Sequence, residues 1–469
     1  MLKWLKNRRE KKNNKKVAVK QARSSEVRII PRAEHGISRK NIDESALKVL
    51  YALHKAGYEA YLVGGAVRDL LLGQRPKDFD VATDATPEQV KALFRNCRLI
   101  GRRFRLAHIH FGRHIIEVAT FRAQHDNSAS GHQDDSGRIL RDNVYGDLEQ
   151  DVWRRDFTVN ALYYNIADFS VIDYVGGYED VKQARLRLIG DPDERYREDP
   201  VRMLRVIRFA AKLGFSIDGS CQRFIREQGA ILRDVPAARL YEEVLKLFHS
   251  GHAIESFRGL REYFLLEHLF PEAAVALDGN EVALKFLQLA MQSTDERIHQ
   301  NKPVTPAFLF SVLLWAPLQA RIERRLAKGE PHSLALQKSA SALVGEQVRH
   351  VSIPKRFTTV MRDIWALQSR FTYRRGKRVE AVFEHPKFRA GYDFLCLRAQ
   401  AGENTTEDCR WWTRYQENRP PVTSQGERYQ PEFESEYEAE METGSESETR
   451  PRSRPRRRRR KPRTDKAKE

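Results

Sequence analysis

At 469 residues the chain has room for two or three domains with a substantial core, and a 41% hydrophobic content is that of a globular protein with polar appendages. Its formal net charge of +19 is unevenly placed: residues 1–23 carry +9, residues 431–449 carry −8, residues 450–469 carry +10, and residues 24–430 keep +8. A basic core with basic arms favours a polyanionic partner, the alternative being that the arms only keep the protein soluble. The longest apolar run, Ala307 to Leu318, is too short to span a bilayer, and the basic N-terminus lacks the apolar stretch of a secretory signal.

Residues 1–24 read as a flexible basic arm. A helix is expected over Asp43 to Ala56, with Leu47, Leu50, Tyr51 and Leu53 at helical spacing and Gly57 as its stop. A strand, Glu59 to Val63, then runs into Gly64-Gly65 and a short helix from Val67 to Leu72, closed by Gly73. Paired glycines between strand and helix let backbone amides approach an anion, and the helix adds its positive end. The next strand holds Asp78 and Asp80. Carboxylates two apart on a strand share a face while Phe79 turns into the core. Two carboxylates beside a phosphate cradle are what divalent-metal-assisted phosphoryl transfer requires.

Thr86-Pro87-Glu88 starts a helix with Thr86 as its cap, running to about Asn96. Phe104 to Phe111 and His114 to Phe121 form a hairpin about Gly112-Arg113. Ile115, Glu117, Ala119 and Phe121 share one face of the second strand. A carboxylate amid apolar neighbours must be paired or metal-bound, so Glu117 is either a third acidic group of the site or a salt-bridge partner. Residues 123–138 are polar and aperiodic, a mobile loop in which His125-Asp126 is incidental. From Asp147 the pattern is helical, with Leu186 to Ile189 the last strand. Beyond about Pro420 the composition turns Glu/Ser-rich and then Arg/Pro-rich, which predicts disorder. Cys97, Cys221, Cys396 and Cys409 are widely spaced without a Cys-x-x-Cys pair, which argues against a disulfide framework and a structural zinc site and fits a reducing cytoplasm.

Gly64-Gly65-x-x-Arg68-Asp69 followed by Asp78-x-Asp80 resembles the nucleotidyltransferase superfamily of template-independent RNA polymerases. The resemblance is to the class II branch, which holds bacterial poly(A) polymerases and CCA-adding enzymes, and it covers about residues 30–400. Arg154-Arg155-Asp156-Phe157-Thr158-Val159-Asn160 resembles a second class II motif. The resemblance gives Asp156 a supporting role at the site and gives Arg155 and Asn160 nucleotide contacts; if the run is helical, Asp156 and Asn160 share a face. Asp199 and Arg202, three apart at the start of a helix opened by Pro200, match the motif that reads the incoming base; read without the family, they are a local ion pair. Arg205 and Arg208 continue that edge, toward phosphate or toward solvent. Leu99 to Ile109, with Gly101, Arg102, Arg103, Phe104 and His108, resembles the stretch that marks the poly(A) polymerase branch. Aromatic and basic residues interleave at Arg370 to Arg378 and His385 to Arg389, where Phe371 and Phe388 either stack on bases or belong to the core.

The resemblance implies an α/β nucleotidyltransferase head over residues 25–165 with a mixed sheet of about five strands. An all-helical neck for base recognition (166–235) and an all-helical RNA-binding body (236–418) would follow, with the basic arm and the acidic then Arg-rich tail (419–469) disordered. It implies ATP as substrate, two Mg²⁺ ions on Asp78 and Asp80, phosphate contacts from Gly64, Gly65 and Arg68, RNA 3′ ends as partner, RNA-decay proteins docking on the charged tails, no stable membrane insertion and a cytoplasmic location. The expected activity is untemplated transfer of AMP to an RNA 3′-hydroxyl. Its rivals are CCA addition to tRNA and non-catalytic RNA binding.

Overall fold

The computed structural model describes residues 27–101, 105–123 and 145–417. The expected basic arm, the Arg102–Phe104 part of the branch-marking stretch, nearly all of the His125-Asp126 loop and the charged tail lie outside them. The head is built on one mixed sheet whose strands are β1 (Arg28–Ile30), β2 (Ala60–Val63), β3 (Asp80–Thr83), β4 (Cys97–Ile100), β5 (Leu106–Phe111), β6 (His114–Thr120), β7 (Leu162–Asn165) and β8 (Val171–Asp173), in the order β1-β8-β7-β2-β3-β6-β5-β4. The sheet therefore has eight strands, not about five. The expected helical run after Asp147 is interrupted by β7 and β8. Leu162, Tyr163 and Tyr164 are all buried, so β7 reads as a continuous apolar run without the alternation that announces a strand. Strands β1 and β8 span three residues each, too short to show a period.

The start signals read from the sequence hold. Helix α1 (Glu44–Lys55) is capped by the Asp43 carboxylate, which accepts from the Ser45 and Ala46 amides. Helix α2 is Gly65–Leu71, and α3 (Pro87–Leu93) opens with a reciprocal Thr86/Gln89 capping box. Strands β5 and β6 pair antiparallel as the expected hairpin. On β6, however, the buried face is Ile116, Val118 and Thr120, whereas Ile115 is exposed and Glu117 half-exposed. Ile115 and Glu117 do share a face, but it is the more open one, and the core takes the alternate residues.

After α4 (Leu148–Arg154), the neck holds α5 (Pro192–Glu198) and α6 (Arg202–Leu213). It is not wholly helical, because Arg185–Leu186 and Ser216–Ile217 form a small parallel pair. The body is helical. Its principal helices are α7 (Ala253–Glu262), α8 (Glu281–His299), α9 (Pro306–Leu313), α10 (Lys355–Arg370), α11 (Lys377–Phe383), α12 (Phe388–Ala401) and α13 (Thr406–Glu417). Phe371 and Phe388 lie in its core with Trp412, which decides their role in favour of packing. Among the described residues no helix is long and apolar enough to cross a membrane.

Cysteine spacing misled. Cys396 on α12 and Cys409 on α13 are disulfide-bonded, with Cα atoms 5.2 Å apart, while Cys97 and Cys221 are buried free thiols. Gly402, at φ 105°, ends α12 in the left-handed region and lets α13 fold back along it. That hairpin brings together cysteines thirteen residues apart, and no spacing rule registers it.

Candidate active site

Strands β2 and β3 are antiparallel, and their pairing ends with Val63 opposite Asp80. Gly64 and Asp80 thus leave the sheet at the same end, neighbours across the ladder. Gly64 has φ 68° and ψ −132°, a conformation that L side chains rarely adopt. The turn it makes carries the chain into α2. Asp78 lies in the coil before β3 and only Asp80 is in the strand, yet the alternation holds: both carboxylates are exposed and Phe79 between them is buried. Strand β6 lies parallel to β3 in the register Val81 to Val118, so Glu117 stands beside Asp80 one position before that register begins. Glu117 also faces His108 across the hairpin, 3.5 Å away.

Among the described residues no three His, Cys, Asp or Glu side chains converge to hold a metal ion. Asp78 and Asp80 are two exposed hard-oxygen donors at one sheet end. That donor set fits Mg²⁺, which keeps several waters and takes one or two carboxylates together with substrate phosphates.

The floor of the site is buried. Arg68 on α2 is 2% exposed. Its Nε and Nη2 donate to Asp69 Oδ1 at 2.9 and 2.6 Å, and its Nη1 donates to Asn160 Oδ1. A Cβ on Gly65 would meet its Nη2 at 3.4 Å, so the guanidinium lies directly against the glycine turn. Asn160 ends a short 3₁₀ turn, Thr158–Asn160, preceded by extended backbone at Arg155 and Phe157. The run is not an α-helix, and Asp156 and Asn160 engage different partners. Thr158 instead donates to the buried Asp180, which Arg185 and Arg187 neutralise.

Arg155 reaches Asp151, a residue that motif reading passed over. Its Nη2 lies 3.0 Å from Asp151 Oδ2, its Nε donates to the Tyr163 hydroxyl at 2.7 Å, and that hydroxyl donates to Asp151 Oδ2 at 2.6 Å. Asp151 is 1% exposed. Burial pushes its carboxyl up, but Arg155 and Arg154 outweigh burial and hold it below the usual carboxylate range. The available signal was its spacing, three and four residues before the two arginines on a helix.

Asp156 ties residues 154–160 to α5 and α6. Arg202 Nε donates to its Oδ1 at 2.8 Å, Arg205 Nη1 is 2.6 Å from its Oδ2, and Arg195 Nη2 is 4.0 Å from its Oδ1. Arg195 also donates to the Arg154 and Arg155 carbonyls, stitching α5 to the motif. Arg202 Nη1 donates to Glu198 Oε2 and the Arg195 carbonyl, which leaves Nη2 as the amine of the fork without a hydrogen bond among the described residues. Asp199 accepts from Arg239 at 2.7 Å and does not pair with Arg202, so the two are not the local ion pair that their spacing suggests. Arg208 is not simply solvated: burial lowers its pKa, its guanidinium lies 4.5 Å from the Phe209 ring, and its Nε has no hydrogen-bond partner among the described residues.

The family described as "Poly A polymerase head domain" matches residues 60–187, that described as "Probable RNA and SrmB- binding site of polymerase A" matches residues 214–277, and that described as "Polymerase A arginine-rich C-terminus" matches residues 328–464. The chain is 50% identical over 405 residues to the Poly(A) polymerase I of Escherichia coli O6:H1, covering 84% of this chain and 87% of that one. A CCA-adding enzyme of Lactobacillus helveticus is 36% identical over 213 residues, 45% of this chain and 52% of that one. The solved structure titled "Thermotoga maritima CCA-adding enzyme complexed with tRNA_CCA" superposes with a TM-score of 0.54 at 20% identity, over 80% of this chain and 83% of that chain, which is a likeness of fold.

Proposed function

This chain belongs to the poly(A) polymerase I family, and from that premise we propose that the Asp78–Asp80 end of the sheet is where AMP passes from ATP to an RNA 3′-hydroxyl without a template. The protein is a polynucleotide adenylyltransferase. In the reaction the 3′-oxygen attacks the α-phosphorus, a new P–O bond forms, the bond to the β-phosphate bridge breaks, and pyrophosphate leaves. The observation that carries the assignment is the pairing of Val63 with Asp80, which sets the glycine turn beside the carboxylates.

Two magnesium ions held by Asp78, Asp80 and phosphate oxygens would lower the pKa of the 3′-hydroxyl and neutralise the triphosphate. The chain's own groups position the reactants. Gly64 and Gly65 offer backbone amides, and Arg68 beneath them supplies positive charge for the phosphates. Arg155 and Asn160 hold the nucleotide side of that floor: Arg155 is fixed by Asp151 and Tyr163, and Asn160 by Arg68. Arg202, clamped by Asp156 and Glu198, has Nη2 left to donate to adenine, and Asp199 is the neighbouring acceptor. Asp156 acts through these arginines as a positioning residue. RNA 3′ ends are the acceptor, the basic core draws them in, and cytoplasmic transcripts are the source.

CCA addition is the second reading, since a CCA-adding relative is recognisable, although over less than half of the chain. The test offers each of the four triphosphates in turn with an unstructured oligoribonucleotide. Long tails from ATP alone are expected. Restoration of CCA on trimmed tRNA with no tail from ATP alone would overturn the reading.

A further inference from the structure

An open groove of about 860 Å³ lies in the body among the helices Pro271–Leu277, Trp315–Leu326 and His332–Gln347. Its apolar lining is aliphatic: Pro271, Val275 and Ala276 come from the first helix, Pro317 and Ala320 from the second. Val275 is 78% exposed, the most open large hydrophobic side chain among the described residues. Pro317, Ala320, Arg321 and Arg324 recur at helical spacing, so one face of Trp315–Leu326 carries both the apolar patch and the cations beside it. Lys328 continues that edge just past the helix end.

The acids of the groove are already paired. Arg321 Nε donates to Glu272 Oε2 at 3.0 Å and its Nη1 to Glu346 Oε1 at 3.2 Å. Glu330 is held by Arg325 at 3.0 Å and by Lys338 at 3.2 Å. Arg324 and Lys328 are exposed and have no ion pair among the described residues; Arg324 Nε donates only to the Ala320 carbonyl of its own helix, at 3.1 Å. The groove therefore presents positive charge beside an aliphatic trough. No aromatic side chain lines it, so a nucleic-acid base has no ring to stack on. Solvation accounts for the two free cations but not for the trough they border. An acidic amphipathic helix answers both features, since it lays its apolar face into a groove and turns carboxylates to the rim. The helix that supplies the cations lies outside all three matched family spans.

We propose that this groove docks an acidic amphipathic helix of a partner protein, whose aliphatic side chains cover Val275, Ala276 and Pro317 and whose carboxylates pair with Arg324 and Lys328. Covering Val275 supplies the apolar contact, and the two cations select an acidic partner and reject a basic one. The proposal is independent of the catalytic assignment, since every residue it uses belongs to the body.

The test uses the full chain and a fluorescein-labelled synthetic helix of about 15 residues, with leucines at helical spacing on one face and glutamates on the other. Anisotropy is expected to show saturable binding. Val275→Asp, and the double change Arg324→Glu with Lys328→Glu, are each expected to weaken it roughly tenfold at an unchanged melting temperature. The double variant should instead take a peptide with lysines in place of the glutamates, which the wild-type chain rejects. AMP incorporation on a short primer stays at the wild-type level in every variant. Equal affinity across the variants, or no binding at about 0.1 mM peptide, would overturn the docking site. Displacement of the peptide by oligoadenylate would give the groove to RNA and overturn it too. So would a wild-type dimer that Val275→Asp dissociates, which would give the groove to a second copy of the chain.

Discussion

The carboxylates of the head fall into two populations. Asp78 and Asp80 are exposed at the end of β3, whereas Asp151 and Asp180 are almost wholly buried and each is held by two arginines. Asp156, with a 12% exposed side chain, stands close to the second group. A buried carboxylate with arginine on both sides is neutralised, saturated with donors and unavailable to a metal. An exposed one at a strand end stands open to solvent, where an ion can reach it. On the proposed reading, acidic residues close in sequence therefore divide into those that serve chemistry and those that fix the parts around it, and burial makes the division.

The sharpest way to break that division is to neutralise each population. Asp78→Asn or Asp80→Asn is expected to cut AMP incorporation by about 10³-fold or more, with the melting temperature unchanged and RNA binding retained. A destabilised fold in these variants would merge the two classes. Asp151→Asn should do the opposite. It leaves Arg155 buried against a neutral partner, so denaturant unfolding should show a loss of roughly 3–4 kcal/mol, and the fraction that remains folded should still incorporate AMP.

Acid titration separates the same classes from a third buried group. His249 donates through Nδ1 to the Leu245 carbonyl, and burial pushes its pKa down to about 4. Because the folded pKa lies below the unfolded one, stability is full above about pH 6.5 and falls as pH drops toward 4, by about 3 kcal/mol in all. Asp151, held below the usual carboxylate range, adds a later loss as pH falls further. His249→Asn is expected to abolish the first phase of a melting-temperature profile and keep the second; an unchanged first phase would remove His249 from the account. The smallest effect belongs to the clamp. Arg202→Lys loses the planar fork shared by Asp156 and Glu198, and the preference for ATP over CTP should fall by about tenfold with little change in stability.

Much of the catalytic end was legible because local chemistry dictates it. The glycine pair, the Asp-x-Asp alternation, the Thr86 cap and the β5–β6 hairpin are set by neighbours in sequence, and the structure keeps them. What escaped depends on distant partners. β7 is buried on both faces and has no period to read. The face that Ile115 and Glu117 share reads as apolar, yet it is the more open one, with Ile115 itself exposed. Asp199 and Arg202 look like a pair at three residues' spacing, yet their partners, Arg239 and Asp156, come from other elements. Cys396 and Cys409 meet only because a helical hairpin folds there.

The backbone at Gly64, φ 68° and ψ −132°, is the mirror image of an ordinary extended residue. Space is not what forbids a side chain there, since the nearest atom to an added Cβ is Arg155 Nη1 at 3.6 Å. Handedness is the obstacle. A chain assembled by chemical ligation with D-alanine at position 64 would keep the turn relaxed, while the gene-encoded L-alanine would have to swing the following amides out of their present turn.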